Sequence, residues 1–341
     1  MNNPVIIYGA GELGEMAKKF FDYFDISVKY AVDRHAGQSK LNGIDILYPS
    51  SVPEKDKKNC LLVICVVTVP QIPLYHQLQD DGWQNIEFFY DITEKYKDKY
   101  PISNGWKCGQ MMRELYTEIM IKLSDLESCY HYAAFIKWHM AKQELIDVNY
   151  KFNLNNRYFI PEVVDVLHDH EVFVDCGAYH GEVSIKFAEL AQCCTMHLIE
   201  PDKENLKILN NRFHKNWIID KALSNHNWDG AFYEGFGYAS CIHENGNEPK
   251  TTITLDSLNM PATFIKMHLE GGELNALNGS INTLQTHRPI VAVTLYHSKD
   301  GAWDIPLFLT NNLPDYNFHI RCHAYAGTGV VMYAIPKERN K

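Results

Sequence analysis

The chain has 341 residues, comfortable for two domains of ordinary size. Apolar residues make up 46% and charged residues 22%, an ordinary globular composition with ample material for buried cores. The net charge of −10, with no basic stripe, argues against a protein whose main task is gripping nucleic acid, because phosphate neutralisation needs concentrated Lys and Arg. No 18 apolar residues run together, so no membrane span is expected. The start, MNNPVIIYGAGELG, runs directly into a strand, which speaks against a signal peptide and for a cytoplasmic protein. The nine cysteines are scattered, without a C-x-x-C pair, and read as reduced thiols. Sixteen histidines are present, but close pairs such as His168 and His170 lack ligand spacing, so no metal site is expected.

From Pro4 to about Asp91, short apolar runs alternate with helical stretches. Val5 to Tyr8 reads as a strand, Glu12 to Phe24 as a helix, and Val28 to Val32 as a second strand. Leu61 to Val67 is a buried-type run, and Ile86 to Phe89 a short further strand. Strand–helix alternation predicts a parallel sheet, here a small Rossmann-like unit spanning 1–95. Residues 96–160 differ, with apolar residues at helical spacing from Gln110 to Asp147, and read as a linker of two or three helices. From 161 to 341 the alternation restarts and runs longer. Strands are predicted at Val172–Val174, Met196–Ile199, Ile218–Ile219, Phe264–Met267 and Ile290–Leu295. Helices are predicted over Val183–Leu190, Lys203–Phe213 and Gly272–Leu284, and Asp229–Pro249 reads as irregular. Phe318–Tyr325 and Val330–Ile335 read as two antiparallel strands joined by a Gly327-Thr328-Gly329 turn. Five parallel strands closed by an antiparallel pair is the layout of an α/β class I methyltransferase.

Two glycine-rich turns follow strands. The first is Gly9-Ala10-Gly11-Glu12-Leu13-Gly14, with Asp33 at the end of the next strand; the second is Asp175-Cys-Gly177-Ala178-Tyr-His-Gly181, followed by Glu200. Glycine suits such turns because left-handed backbone and close ligand approach exclude a Cβ. Either acid could accept hydrogen bonds from a ribose diol, so spacing alone does not say which loop holds which nucleotide. Charge separates them. Asp175 would repel a pyrophosphate but could meet the amino group of a methionine moiety. The first loop has no acid at its strand end and stays open to phosphate at the helix N-terminus, with Glu12 a mild objection. Gly9, Gly11, Gly14 and Asp33 thus form a second candidate nucleotide site.

Several ordered segments resemble the FkbM family of methyltransferases: Glu171–Gly181, Leu198–Asp202, Lys221–Ser224 and Thr254–Leu258. Most distinctive is Phe264–Gly279, close to that family's K-x-D-x-E-G-x-E block, and Arg288–His297 with Trp303, Ile305 and Pro306 continues the match. The resemblance covers about 160–336, extending more weakly back through Leu123–Ser128, as in longer members with an N-terminal Rossmann-like unit. It implies S-adenosylmethionine as cofactor and a hydroxyl of a sugar, nucleotide-sugar or glycan precursor as acceptor. Gly177, Ala178 and Gly181 would then give backbone contact, Asp175 would face the methionine end, and Glu200 the ribose. Asp220, Ala222 and Leu223 would lie near the adenine.

This chain has His268 where the family block has Asp. Base or substrate contact, a structural role and lost activity all remain open for it. His268, Glu270 and His297 are the candidate proton acceptors, although Glu270 or Glu273 could instead cap a helix. Tyr238, His243, Arg321 and His323 are candidates for the acceptor pocket, and Gly230–Gly246 for a substrate loop. Two rival readings stand: an NAD-dependent oxidoreductase or epimerase using the first loop, and a non-catalytic binding protein on a methyltransferase fold. Whether the protein forms a homo-oligomer is left open.

Overall fold

The computed structural model describes the chain apart from residues 1, 2, 37–39, 101, 103, 109, 110, 148, 235–238, 243–245, 340 and 341. The chain divides into two units: Met1–Trp106 with Lys137–Leu145 and Ala324–Thr328, and Lys107–Ile136 with Ile146–His323 and Gly329–Lys341.

The first unit is built on six strands: β1 (Val5–Tyr8), β2 (Val28–Val32), β3 (Lys40–Leu41), β4 (Ile44–Leu47), β5 (Leu61–Ile64) and β6 (Ile86–Phe88). Their order is β3-β4-β2-β1-β5-β6, parallel except for the β3–β4 pair. Val5, Ile6 and Ile7 are buried on both faces, as a central parallel strand requires. The helix Glu12–Tyr23 turns Phe20 and Phe21 inward, each worth about 1.5–3 kcal/mol of burial. The β3–β4 hairpin escaped the sequence reading because the two strands total six residues and carry no long apolar run.

The second unit continues with β7 (Val172–Cys176), β8 (Thr195–Ile199), β9 (Ile218–Ile219), β10 (Ala222–Leu223), β11 (Trp228–Tyr233), β12 (Cys241–Ile242) and β13 (Glu248–Ile253). Then come β14 (Phe264–Met267), β15 (Ile290–Thr294), β16 (Tyr316–Cys322) and β17 (Val330–Pro336). Seven of these form one sheet in the order β16-β17-β15-β14-β7-β8-β9. β9 through β15 run parallel in that sheet, and β17 inserts antiparallel between β15 and β16. This is the Rossmann-like methyltransferase arrangement expected from the chain's ending. Beneath it, Phe173 stacks on Phe187 at 4.2 Å and meets Phe264 edge-on at 5.2 Å, within a core that also takes in Ile290, Val331 and Tyr333.

Two expectations are corrected. The stretch Asp229–Pro249 is not simply irregular: β11 pairs with both β12 and β13 in a four-stranded sheet of order β10-β13-β11-β12. Its Gly and Asn content hid an alternation in which Gly230, Phe232 and Thr252 point inward. The helix expected over Gly272–Leu284 is two helices, Glu273–Asn278 and Ile281–His287. The break falls at Gly279, where a Cβ would lie 2.2 Å from the Ser224 carbonyl oxygen, so the chain turns to fit against that backbone. In the intermediate stretch, helices run over Arg113–Met120 and Leu126–Ala141. All nine cysteines are free thiols. No helix among the described residues is long and apolar enough to cross a membrane.

Candidate active site

The register of the second unit's sheet builds the site. Lys266 on β14 lies directly opposite Asp175 on β7. Both are buried, and the Lys266 ammonium sits 2.8 Å from one Asp175 carboxylate oxygen while the Ser184 hydroxyl donates to the other at 2.7 Å. Lys266 also donates to the Gly177 carbonyl at 2.7 Å, tying the strand pair to the glycine turn. Asp175 is therefore a charge-paired carboxylate, with Oδ2 hydrogen-bonded to Ser184 and Oδ1 in ion-pair contact but without a hydrogen bond. Lys266 offsets the Asp175 charge, so an amino group placed there would meet this network and not a lone carboxylate. A lysine inside the apolar run Phe-Ile-Lys-Met was the signal in the sequence, since an unpaired ammonium is not tolerated there.

Gly177 and Gly181 both adopt left-handed backbone, with φ of +80° and +86°. A Cβ on Gly177 would come 2.0 Å from the His268 carbonyl oxygen, and one on Gly181 would strike the Phe213 ring at 2.2 Å. The turn is thus fitted to its protein neighbours. Ala178 donates its N–H to Ile199, and Tyr179 donates to the Glu200 carboxylate at 2.8 Å. Glu200 accepts two more bonds, from the Asp202 N–H at 3.0 Å and the Asn205 side-chain amide at 3.2 Å. Burial nevertheless pushes its carboxyl up to about 7. Ala222 and Leu223 are buried on β10, whereas Asp220 is largely exposed and paired with Lys250 at 2.9 Å.

His268 follows β14 and His297 lies just beyond β15, so the two imidazoles issue from the C-terminal ends of adjacent parallel strands, where open α/β sheets bind ligands. Glu270 stands between them: one oxygen is 2.8 Å from His268 Nε2, the other 3.2 Å from His297 Nδ1. The turn carrying Glu270 is left-handed at that residue, with φ of +50°. Glu273 clamps it, accepting from Leu269 N–H at 2.9 Å and Gly271 N–H at 3.0 Å, and from the Thr294 hydroxyl at 2.8 Å. Of the two glutamates, Glu273 holds the turn and Glu270 is presented by it.

Three further groups close round the cluster, and none was singled out from sequence. The Tyr158 hydroxyl lies 2.9 Å from His268 Nδ1, Tyr296 lies 3.3 Å from its Nε2, and Arg157 donates to Tyr296 at 2.8 Å. Arg157 and Tyr158 sit in an aperiodic segment that offers no pattern to read; Tyr296 was visible only as the neighbour of His297. Burial drives His268 down to about 3 against the pull of Glu270. Burial also works to raise Glu270, yet His297 and His268 hold its carboxyl well below the usual carboxylate range. For His297, burial opposes the charge, but Glu270 and Glu273 raise its pKa.

Other candidates lie elsewhere. Arg321 is bound by Asp125 at 3.0 Å and Glu162 at 2.6 Å, and His323 by the Asn153 carbonyl and the Tyr333 hydroxyl, so both serve internal ties. Tyr238, His243 and much of Gly230–Gly246 fall outside the described residues. In the first unit, Asp33 accepts from Ala10 N–H and His35 N–H, each at 2.8 Å. Gly9 is left-handed against Cys65 and Val66, Gly14 fits against the Gly9 carbonyl, and a Cβ on Gly11 would meet open space.

Residues 175–320 match the family described as the methyltransferase FkbM domain. The FkbM resemblance holds. Methyltransferase is the reading that this FkbM match supports. Among solved structures, the methyltransferase FkbM from Methylobacillus flagellatus KT aligns with TM-score 0.64 at 18% identity, over 97% of this chain and 90% of that one. At that identity the likeness is one of fold. The precorrin-6y C5,15-methyltransferase from Geobacter metallireducens GS-15 aligns at TM-score 0.33 and 15% identity, over 56% of this chain and 96% of that one. No curated protein matches the chain in sequence.

Proposed function

We propose that the chain is an S-adenosylmethionine-dependent O-methyltransferase of a cytoplasmic kind, acting on a hydroxyl of a sugar, nucleotide-sugar or glycan precursor. Its chemistry is assigned to 161–341, with 1–95 as a small Rossmann-like domain and 96–160 as a helical linker region. The observation that carries the cofactor assignment is Glu200, a buried carboxylate at a strand end that also holds the glycine turn. A carboxylate offers about four lone-pair positions. Three are taken by Tyr179, Asp202 and Asn205, leaving one for a ribose hydroxyl without loss of a protein partner. The residues therefore fit an adenosyl ligand, with Gly177, Ala178 and Gly181 supplying backbone, Asp175 acting through Lys266, and Asp220, Ala222 and Leu223 assigned to the adenine side.

The cofactor supplies an activated methyl group: an O–C bond forms as an S–C bond breaks, and the hydroxyl proton leaves. For that proton the candidates remain His268, Glu270 and His297. Burial keeps His268 uncharged near neutrality, so it is able to accept a proton, and Glu270 at 2.8 Å would stabilise the imidazolium that results. Its low pKa makes it a weak base, suited to a proton that departs late in the displacement. Alignment of the two reactants would supply the larger part of the acceleration, since effective molarity is worth about 7–11 kcal/mol in favourable systems.

Calorimetric titration with S-adenosylhomocysteine and, separately, NADH tests the assignment. Binding of the first with no response to the second is expected from the second unit's glycine turn. NADH binding without S-adenosylhomocysteine would put an oxidoreductase or epimerase in its place. Transfer of labelled methyl to a panel of sugar and nucleotide-sugar hydroxyls then tests the acceptor class.

A further inference from the structure

We propose that His268, Glu270 and His297 form a binding site for one divalent transition-metal ion. Two bonds of about 2.1 Å meeting at one ion place their ligand atoms roughly 3.0–3.4 Å apart. The separations here are 2.8 Å from His268 Nε2 to Glu270 and 3.2 Å from His297 Nδ1 to Glu270. The three residues can each offer one ligand atom, all within 4.8 Å of one another. Small outward adjustments of two imidazoles and one carboxylate would admit the ion. Two nitrogens and one oxygen suit zinc, iron, manganese or nickel better than calcium or magnesium, which prefer oxygen throughout.

The surroundings of His268 are those a metal-bound imidazole requires, and those of His297 come close to it. A ligating histidine turns its other ring nitrogen to an acceptor. For His268 that nitrogen is Nδ1, 2.9 Å from the Tyr158 hydroxyl oxygen; for His297 it is Nε2, buried without a hydrogen bond and 3.7 Å from a Glu273 carboxylate oxygen. Glu273 also clamps the left-handed turn that carries Glu270, and its carboxylate is the nearest acceptor for the unbonded His297 Nε2. Arg157 is the nearby cation: it lies 3.5 Å from His268 Nδ1 and donates to Tyr296, whose hydroxyl is 3.3 Å from His268 Nε2. A second cluster of Asp125, Glu162 and His319 has comparable spacing, yet the Arg321 guanidinium already lies 3.0 and 2.6 Å from its two carboxylates. Both carboxylates of that cluster are held by an arginine, whereas Glu270 is paired, among the described residues, with the two imidazoles only.

Three protein ligands leave at least one coordination position open. Resting on the methyl-transfer reading, that position would take the acceptor hydroxyl and acidify it as a Lewis acid, its proton passing to solvent water because the three ligands could no longer accept it. A metal ion here would overturn the sequence-based expectation of none. His268 and Glu270 are two residues apart but His297 lies far along the chain, and only the pairing of β14 with β15 unites them.

The full chain, stripped with a chelator and dialysed, is titrated with Mn²⁺ by electron paramagnetic resonance and with Zn²⁺ against a chromogenic chelator. About one ion per chain is expected, with affinity falling at least tenfold in Glu270→Gln and in His268→Asn, and unchanged in Asp125→Asn. Circular dichroism establishes that each variant is folded; His268, the most exposed of the three ligands, serves if Glu270→Gln does not fold. No saturable binding of either ion, or equal binding by wild type and folded variants, overturns the proposal. S-adenosylhomocysteine affinity of the stripped protein is read in parallel. Its presence without metal binding removes only the metal, and metal binding without it removes only the methyl-transfer reading.

Discussion

The chain contains the same device twice, and the two copies differ in what lies beneath them. In each unit a central strand runs into a glycine turn, and an acid at the end of the next strand reaches back to a backbone N–H of that turn. Asp33 takes Ala10 at 2.8 Å and Glu200 takes Tyr179 at 2.8 Å. Below the first turn, β1 ends in Tyr8, with no charge at the strand end. Below the second, Asp175 is held by Lys266 and Ser184, and Lys266 holds the turn's own carbonyl. Lys266 sits on β14, two residues before His268, so one strand carries both the brace of the glycine turn and a member of the polar cluster. The motif alone specifies a turn. What distinguishes a chemical site is the buried charge wired to it.

The sharpest way to test that difference is to remove the brace. Lys266→Met would strand the Asp175 carboxylate in a site with no solvent access, and breaking a buried pair costs about 3–5 kcal/mol. Thermal unfolding should show a large destabilisation of the second unit, with most of it recovered in the Asp175→Asn, Lys266→Met double variant. A loss under about 1 kcal/mol would mean the pair contributes little, and the contrast between the turns would fail.

Next in size is the loss expected from the acids themselves. Glu200→Ala should weaken S-adenosylhomocysteine binding by about 1.5–3 kcal/mol, roughly tenfold to a hundredfold, in a calorimetric titration. Asp33→Ala, its counterpart in the first unit, should leave that affinity unchanged. Equal effects of the two substitutions, or an unaltered affinity in Glu200→Ala, would remove the basis for assigning the cofactor to the second turn.

The glycines give a smaller contrast. Gly177→Ala forces a Cβ toward the His268 carbonyl at left-handed backbone and should cost about 1–3 kcal/mol in thermal unfolding. Gly11→Ala places its Cβ in open space with φ of −84° and should stay within about 0.5 kcal/mol of the wild type. Comparable losses at the two positions would show that the first turn is as tightly fitted as the second.

Much of this contrast was legible in the sequence, and the illegible part has a common cause. Strands that burial makes apolar over contiguous residues, such as β14 and the β16–β17 pair, were readable whatever their length. Glu200, Asp175 and the glycines were readable because a turn motif is local. The Asp175–Lys266 pair, by contrast, is a cross-strand contact, and the neighbours Tyr158 and Arg157 come to His268 from a segment over a hundred positions earlier. Local pattern carries no information about which distant side chain will neutralise a buried charge. For the same reason the cap-or-acid ambiguity of Glu270 and Glu273 could be resolved only once Leu269, Gly271 and Thr294 were seen to converge on Glu273.

The smallest expected effect is a pH dependence peculiar to the second turn. Burial leaves the Glu200 carboxyl with a pKa of about 7, so near neutrality a good fraction of the free protein carries a proton there. A ribose hydroxyl donates to the ionised form and favours it, so binding releases that proton. Affinity for S-adenosylhomocysteine should therefore rise with pH through 7 and level off about one unit above, with a slope no steeper than about tenfold per unit. The stability of the free protein should run the other way. Its folded pKa lies above the ordinary 4.5, so the folded state binds the extra proton and this group's contribution is lost as pH climbs from 4.5 towards 7. Opposite slopes in the two measurements, both abolished in Glu200→Gln, would identify one buried carboxyl as their source; an affinity that falls or stays flat between pH 6 and 8 would mean that the ligand's hydroxyls do not meet it.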